Sequence, residues 1–329
     1  MSRDMMPSFE LYQPDSLEGA LKLSKDLDKE GWLIAGGQDS YDWFKDRAKR
    51  PAALVDLSGI AALKGIREKD GGLEIGALTT LTEIAESEIV KSRYTVLARA
   101  AARVASPQIR NAATLGGNLC QDARCWYYRA GVDCYRAGGN TCYADTPQGQ
   151  NREHCLFGAS RCIAVSPSDT APAVVALEGT VVIAGPQGER AVAAEEFFIG
   201  PAVDITRMTI LKPGEIVTAV RLPSKWAGAK FYFEKAADRA TWDFALVNVA
   251  AALIVDAGTI KDARVVVGAV ECVPRRLKAV EQAIIGQAQN DDTAMIAGRT
   301  ASQGATAVQY NGYKIPLMEN LVRRAVRDS

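Results

Sequence analysis

A single histidine, His154, stands in the 329 residues, which excludes any metal site built on several imidazoles. No stretch approaches the ~20 consecutive apolar residues of a membrane-spanning helix. Neither sign of charge prevails: Lys+Arg and Asp+Glu are 39 each, so there is no basic surplus to favour nucleic acid or anionic lipid. The opening residues, Met-Ser-Arg-Asp-Met-Met-Pro, contain no apolar core of a signal peptide. The expected location is therefore cytoplasmic, with export alongside a partner left open. Gly-x-Gly-x-x-Gly, the usual dinucleotide fingerprint, is missing. So are the tight Cys-x2-Cys knuckles of zinc ribbons and fingers.

What remains is ordinary in bulk and concentrated in places. Apolar content is 48% and charged content 24%, as in a globular chain long enough for two or three cores. Phe9–Tyr12, Trp32–Ala35 and Ala53–Leu57 read as strands, and Ser16 as a cap for a helix carrying Leu17, Ala20, Leu21 and Leu27. Asp70-Gly71-Gly72 signals a hairpin between Leu63–Glu68 and Leu73–Ala77. Thr80 to Glu83 is a capping box, and Val96–Val104 reads as a helix ended by Pro107. Ala173–Leu177 and Thr180–Ile183 are apolar or β-branched runs, followed by a Gly185–Gly188 turn between strands and a strand Ile216–Leu222. Phe231–Lys235, Ala250–Asp256 and Ala263–Val270 read as a meander, with two helices, Leu277–Ile285 and Asp291–Ala301, after it. The fold class expected is α+β in both parts.

Two glycine pairs stand out. Trp32–Ala35 runs into Gly36-Gly37-Gln38-Asp39-Ser40, and Thr114-Leu115-Gly116-Gly117-Asn118 follows Arg110-Asn111-Ala112-Ala113. Such turns present consecutive N–H groups, an anion-binding nest. An ordinary strand-to-helix turn would read the same way for the first pair.

Six of the seven cysteines, Cys120, Cys125, Cys134, Cys142, Cys155 and Cys162, lie between Asn118 and Ser166. Their spacings are x4, x8, x7, x12 and x6. Irregular thiols in a loop with Gly131, Gly138, Gly139 and Gly149 suit a [4Fe–4S] cube, which takes four Cys ligands. Structural zinc and packed thiols are the alternatives. Cys272 reads as core, and His154 as a loop residue rather than a ligand.

Taken together, Ala35-Gly36-Gly37-Gln38-Asp39-Ser40, Arg110 to Asn118, Ser166-Pro167-Ser168-Asp169, Leu211-Lys212-Pro213-Gly214-Glu215-Ile216 and Lys235-(x7)-Asp243-Phe244-Ala245 resemble a known family over nearly the whole chain. This is the FAD-binding medium subunit of the molybdenum hydroxylases, the xanthine dehydrogenase and carbon monoxide dehydrogenase group. Gln38 stands where Thr or His is commoner. The resemblance implies a PCMH-type FAD-binding domain of two α+β subdomains over 1–223, then an α+β flavoprotein C-terminal domain over 224–329. It implies FAD contacts from Ala35, Gly36, Gly37, Gln38, Asp39, Ser40, Thr114, Gly116, Gly117, Asn118, Asp169 and Lys235, with Lys235 near the flavin or diphosphate.

Residues 119–165 resemble the extra segment of the 4-hydroxybenzoyl-CoA reductase and periplasmic-type aldehyde oxidoreductase medium subunits, which holds an additional [4Fe–4S] cluster. On that pattern the ligands are Cys125, Cys134, Cys142 and Cys162, with Cys155 the nearest rival and Cys120 surplus. The implied assembly joins this chain to a large subunit with molybdenum cofactor and a small subunit with two [2Fe–2S] clusters, as a heterotrimer or a dimer of heterotrimers. Its task is electron transfer between the small subunit and an external carrier, in an aldehyde or N-heterocycle oxidoreductase. A reductase of the 4-hydroxybenzoyl-CoA type is the alternative within the class. A zinc-stapled assembly protein without flavin is the alternative outside it.

Overall fold

The computed structural model describes residues 6–329, so the first five residues, on which the reading of the N-terminus partly rests, lie outside the described residues. Three sheets build the chain, each with its own packing partners.

The first is parallel: β1 (Glu10–Tyr12), β2 (Gly31–Ile34) and β3 (Ala53–Asp56), in the order β1-β3-β2. Ser16 caps the helix Leu17–Leu27 by accepting the Gly19 N–H at 3.3 Å, and that helix covers Val55 and Ile60. Beyond the carboxyl end of β2 the chain makes the first glycine loop and enters the helix Ser40–Lys45. Ligands of parallel sheets bind at that end.

The second sheet is antiparallel: β4 (Ile66–Lys69), β5 (Gly72–Gly76), β6 (Thr180–Gly185), β7 (Gly188–Ala193) and β8 (Ile216–Leu222), ordered β4-β5-β8-β6-β7. The hairpin begins at Ile66, because Leu63 is taken up in a short 3-10 turn that buries it. Thr80 and Glu83 form the expected capping box, at 2.7 and 3.2 Å. The core beside this sheet holds Leu97 and Ala101 from the helix Thr95–Ala102, and Val174 from Thr170–Ala176.

That last helix departs from the sequence reading, which set 173–177 among apolar and β-branched runs. Every residue from Thr170 to Ala176 is buried, because the helix lies between the second and third sheets. A helix apolar on all sides shows no 3.6-residue period, and Pro172 is tolerated because it falls in the first turn.

The third sheet is antiparallel, with β9 (Lys230–Ala236), β10 (Val247–Asp256), β11 (Thr259–Gly268) and β12 (Arg275–Arg276) in the order β12-β11-β10-β9. Its two faces separate by alternation. Val249, Ala251 and Leu253 enter the core of the C-terminal helices, while Ala250 and Ala252 face the core of the second sheet. A third helix, Lys314–Arg327, joins the two expected ones and supplies Met318, Leu321 and Val322 to that core.

Residues 119–165 contain no sheet strand. The bridge between Arg124 and Val165 closes their base, and Leu156, Phe157 and Ser166 donate backbone N–H groups to the turn after β11.

Candidate functional site

A cleft of 1020 Å³ opens between the first sheet, the second glycine loop and the start of the third sheet. It is large enough for a dinucleotide-sized ligand. Ala35, Gly36, Gly37, Gln38, Asp39 and Ser40 line one wall, Thr114, Gly116, Gly117 and Asn118 another, and Asp169 a third. Of the twelve residues expected to touch a cofactor, only Lys235 is absent from the lining.

The glycines differ in what they make possible. A Cβ on Gly36 would lie 1.8 Å from the Ala112 carbonyl oxygen, so the two loops meet backbone to backbone there. Gly37 has φ +72°, a conformation that side chains disfavour, and its Cβ would strike the Tyr41 ring. Gly116 is pressed against Ala77. At Gly117, by contrast, a Cβ would meet only the Thr114 hydroxyl, at 3.0 Å. Gly117 lines the cleft with open space before it.

Backbone donors converge on the same space. Among the described residues, the N–H groups of Gly36, Gly37, Gln38 and Asp39 donate to no protein acceptor. Uncommitted consecutive N–H groups beside glycines form a nest suited to a phosphate. Gln38 turns its own amide back to the Gly36 carbonyl at 3.1 Å.

The polar side chains are mostly engaged in building the cleft. Thr114 accepts the Gly117 N–H at 3.1 Å, and Ser40 accepts the Trp32 indole N–H at 3.0 Å. Each hydroxyl keeps a proton to donate. Asn118 Oδ1 accepts from the hydroxyls of Ser168, at 2.7 Å, and Thr170, at 2.6 Å, tying the second glycine loop to the Ser-Pro-Ser-Asp turn. Asp169 Oδ2 accepts from Lys235 Nζ at 2.6 Å, and its Oδ1 from Asn248 at 2.9 Å. Burial pushes the Asp169 carboxyl above its ordinary value, against the pull of Lys235 and Asn248. Lys235 completes its three donor positions on the carbonyls of Arg103 and Asp243. It therefore stands behind Asp169 rather than in the cleft.

The cysteines collect at one side. Cys125, Cys134, Cys142 and Cys162 line a second, small hollow, and no cysteine is in a disulfide. Its 10 Å³ holds about one water. Among the described residues, no three Cys, His, Asp or Glu side chains stand where they could hold a metal ion. Thiols are the right donors for an iron–sulfur cube, but the hollow as folded is too small to hold one.

Cys125 lines both cavities, and Cys120 lines the cleft. Cys155 is buried in the core beside the hollow. Burial pushes Cys125 and Cys155 up to about 12, whereas the hydrogen bond with Cys272 holds Cys162 down. Cys272 is thus core, as read, yet touches the cysteine group.

His154 lies in a loop, as expected, but not on the surface. It is buried against the hollow, its Nε2 3.3 Å from Cys125 Sγ and its Nδ1 without a partner. Burial, then Lys314 and Arg124, lower its pKa to about 4. Lys314 and Asn311 fasten this stretch, donating to the backbone carbonyls of His154 and, respectively, Glu153 and Cys155.

Arg129 and Trp43 also line the cleft and were not foreseen. Their contact joins the helix after the first glycine loop to the cysteine-bearing segment, far apart in sequence, so no local pattern announces it.

Two family models together match nearly the whole chain. Residues 7–225 match the FAD-binding domain in molybdopterin dehydrogenase, and residues 231–329 the CO dehydrogenase flavoprotein C-terminal domain. The chain is 38% identical over 261 residues to the aldehyde oxidoreductase FAD-binding subunit PaoB of Escherichia coli, covering 78% of this chain and 80% of that one. It is 27% identical to the carbon monoxide dehydrogenase medium chain of Hydrogenophaga pseudoflava, covering 97% of this chain and 96% of that one. The solved carbon monoxide dehydrogenase of Hydrogenophaga pseudoflava superposes with a TM-score of 0.78 at 28% identity, over 98% of this chain and 97% of the other. Quinoline 2-oxidoreductase from Pseudomonas putida superposes with a TM-score of 0.76 at 25% identity, over 98% and 97%.

Proposed function

Because this chain belongs to the family of FAD-binding subunits of molybdopterin and CO-dehydrogenase-like oxidoreductases, we propose that it holds FAD in the 1020 Å³ cleft and passes electrons between a small iron–sulfur subunit and an external carrier. The observation that carries this is the convergence of both glycine loops and Asp169 on one cavity whose nearest backbone N–H groups are uncommitted. Bound FAD supplies the exchange between single-electron and paired-electron carriers.

The chain's own part is positional. Gly36, Gly37, Gln38 and Asp39 would direct N–H groups at the diphosphate, and Gly117 would leave room for it. Ser40 and Thr114 keep hydroxyl protons for the cofactor's sugar oxygens. Asp169, fixed by Lys235 and Asn248, would hold the third wall. Lys235 acts here through Asp169 and not by touching the flavin. The division at 223/224 is supported by family matches ending at 225 and beginning at 231.

The segment 119–165 is our reading of a [4Fe–4S] site, with Cys125, Cys134, Cys142 and Cys162 as ligands. What supports it is that these four thiols share one hollow and are free of disulfides. An aldehyde or N-heterocycle is the substrate class we favour for the whole complex, since the PaoB match is to an aldehyde oxidoreductase subunit. That chemistry would take place on a large molybdenum subunit, and no described helix of this chain is long and apolar enough to cross a bilayer. The test is to purify the chain, release flavin with acid, and measure FAD and iron per chain. FAD with iron supports the full reading. FAD without iron removes the cluster, and zinc without flavin favours the assembly-protein alternative.

A further inference from the structure

Arg129 ends the short helix Trp126–Arg129 of the cysteine-bearing segment. Its Nη2 donates to Asp39 Oδ1 at 2.8 Å and to the Asp122 carbonyl at 3.2 Å, and its Nε donates to the Ala123 carbonyl at 3.3 Å. The guanidinium lies 4.3 Å from the centroid of the Trp43 ring and 5.7 Å from that of Phe244. Asp39 belongs to the first glycine loop, Trp43 to the helix behind it, and Phe244 to the loop between β9 and β10. All three line the cleft, and so does Arg129. Asp39 is held from its other side as well, its Oδ2 accepting the Trp43 indole N–H at 3.1 Å.

The charge matters as much as the packing. Asp39 is a carboxylate inside a nest suited to a phosphate, and an uncompensated carboxylate there would repel one. Arg129 is the cation paired with it, at 2.8 Å. A planar guanidinium can pair with a carboxylate and stack on aromatic faces at once.

We infer that Arg129 is a positioning residue for FAD: by neutralising and orienting Asp39 it makes the first glycine loop receptive to the diphosphate, so that the cysteine-bearing segment completes the flavin cleft. The inference rests on FAD as the occupant of the cleft.

The experiment titrates FAD into the deflavinated full-length chain and follows quenching of flavin fluorescence. Arg129→Met is expected to weaken FAD binding by about tenfold or more, the usual weight of a charge-assisted hydrogen bond. Adding Asp39→Asn in the same chain removes the exposed carboxylate and is expected to restore most of that affinity, a rescue that a merely structural lesion would not show. Affinity within twofold of wild type in Arg129→Met overturns the inference, and so does a double variant that binds no better than Arg129→Met. Should Arg129→Met not fold, Arg129→Lys is compared with Arg129→Gln: the charged side chain must bind FAD more tightly, and equal or reversed affinities overturn the inference. A wild-type chain that takes up no FAD overturns the cofactor reading together with this inference, whereas normal wild-type binding with an unaffected Arg129→Met overturns this inference alone.

Discussion

Lys235 and Asp169 form an ion pair of 2.6 Å with only 4% and 3% of their side chains exposed. Lys235 comes from β9 of the third sheet, and Asp169 from the turn that opens the helix between the second and third sheets. The cleft is thus closed by a buried contact between the two parts of the chain matched by separate family models.

Lys235→Met should leave Asp169 as a buried carboxylate without its cation. Loss of one partner of a buried pair costs about 3–5 kcal/mol. The variant should unfold at a lower denaturant midpoint and lose flavin. Asp169→Asn combined with Lys235→Met removes both charges and should recover part of the stability. Denaturant titration of the three variants, with flavin content alongside, checks the order.

The two glycine loops should respond differently to an added side chain. Gly36→Ala places a Cβ 1.8 Å from the Ala112 carbonyl oxygen, so the loops must separate and folding itself suffers. At Gly117 a Cβ would meet only the Thr114 hydroxyl and the residue lines the cleft, so Gly117→Val should fold while its side chain excludes flavin. Circular dichroism and flavin absorbance together distinguish the cases. Full flavin occupancy in Gly117→Val would remove the second loop from the site.

On the proposed [4Fe–4S] reading, single serine substitutions at Cys125, Cys134, Cys142 or Cys162 should abolish or lower the iron content, since thiolates carry the bonding to the cube. Serine at Cys120 or Cys155 should preserve the iron. Iron analysis of anaerobically purified variants decides between the ligand sets. Retention in Cys162→Ser with loss in Cys155→Ser would exchange those two positions.

Glu74 gives a prediction about acid. It is 4% exposed and lies among Arg67, Lys69 and Arg221. Burial pushes its carboxyl up, but hydrogen bonds from Lys69, Arg221 and Arg67 outweigh this and hold it at about 2, below the ordinary 4.5. A lowered carboxylate pKa contributes stability that is complete above the unfolded-state value and is lost as pH falls through the folded one. Between pH 4.5 and about 2 the wild type should therefore lose stability more steeply than Glu74→Gln. Urea midpoints across that range measure the slopes, and parallel slopes would show that Glu74 does not carry the effect.

The sequence made some of this legible and hid the rest for physical reasons. Ser16, the Thr80–Glu83 box and the Asp70-Gly71-Gly72 turn are local devices, satisfied within a few residues, so they can be read directly. Both glycine pairs are legible as turns because close backbone contact, such as Gly36 against the Ala112 carbonyl, and a positive φ at Gly37 leave their mark on composition. The helix Thr170–Ala176 was not, since burial on all sides erases its period. The motif puts Lys235 near the flavin or the diphosphate, but sequence neighbours do not give the direction of a side chain, and its contacts with Asp169, Arg103 and Asp243 come from folding. His154 and Arg129 owe their positions to contacts 29 and 90 residues away, with Cys125 and Asp39. No periodicity encodes such pairs.

The most direct test of the account is the equilibrium binding of FAD to the deflavinated chain, read by flavin fluorescence and by the stoichiometry of acid-released cofactor. The account predicts one non-covalent FAD per chain for the wild type, and its loss in a folded Gly117→Val protein. A wild-type chain that stays folded yet takes up no FAD, or a Gly117→Val chain that binds it as tightly as wild type, would contradict the assignment of this cleft.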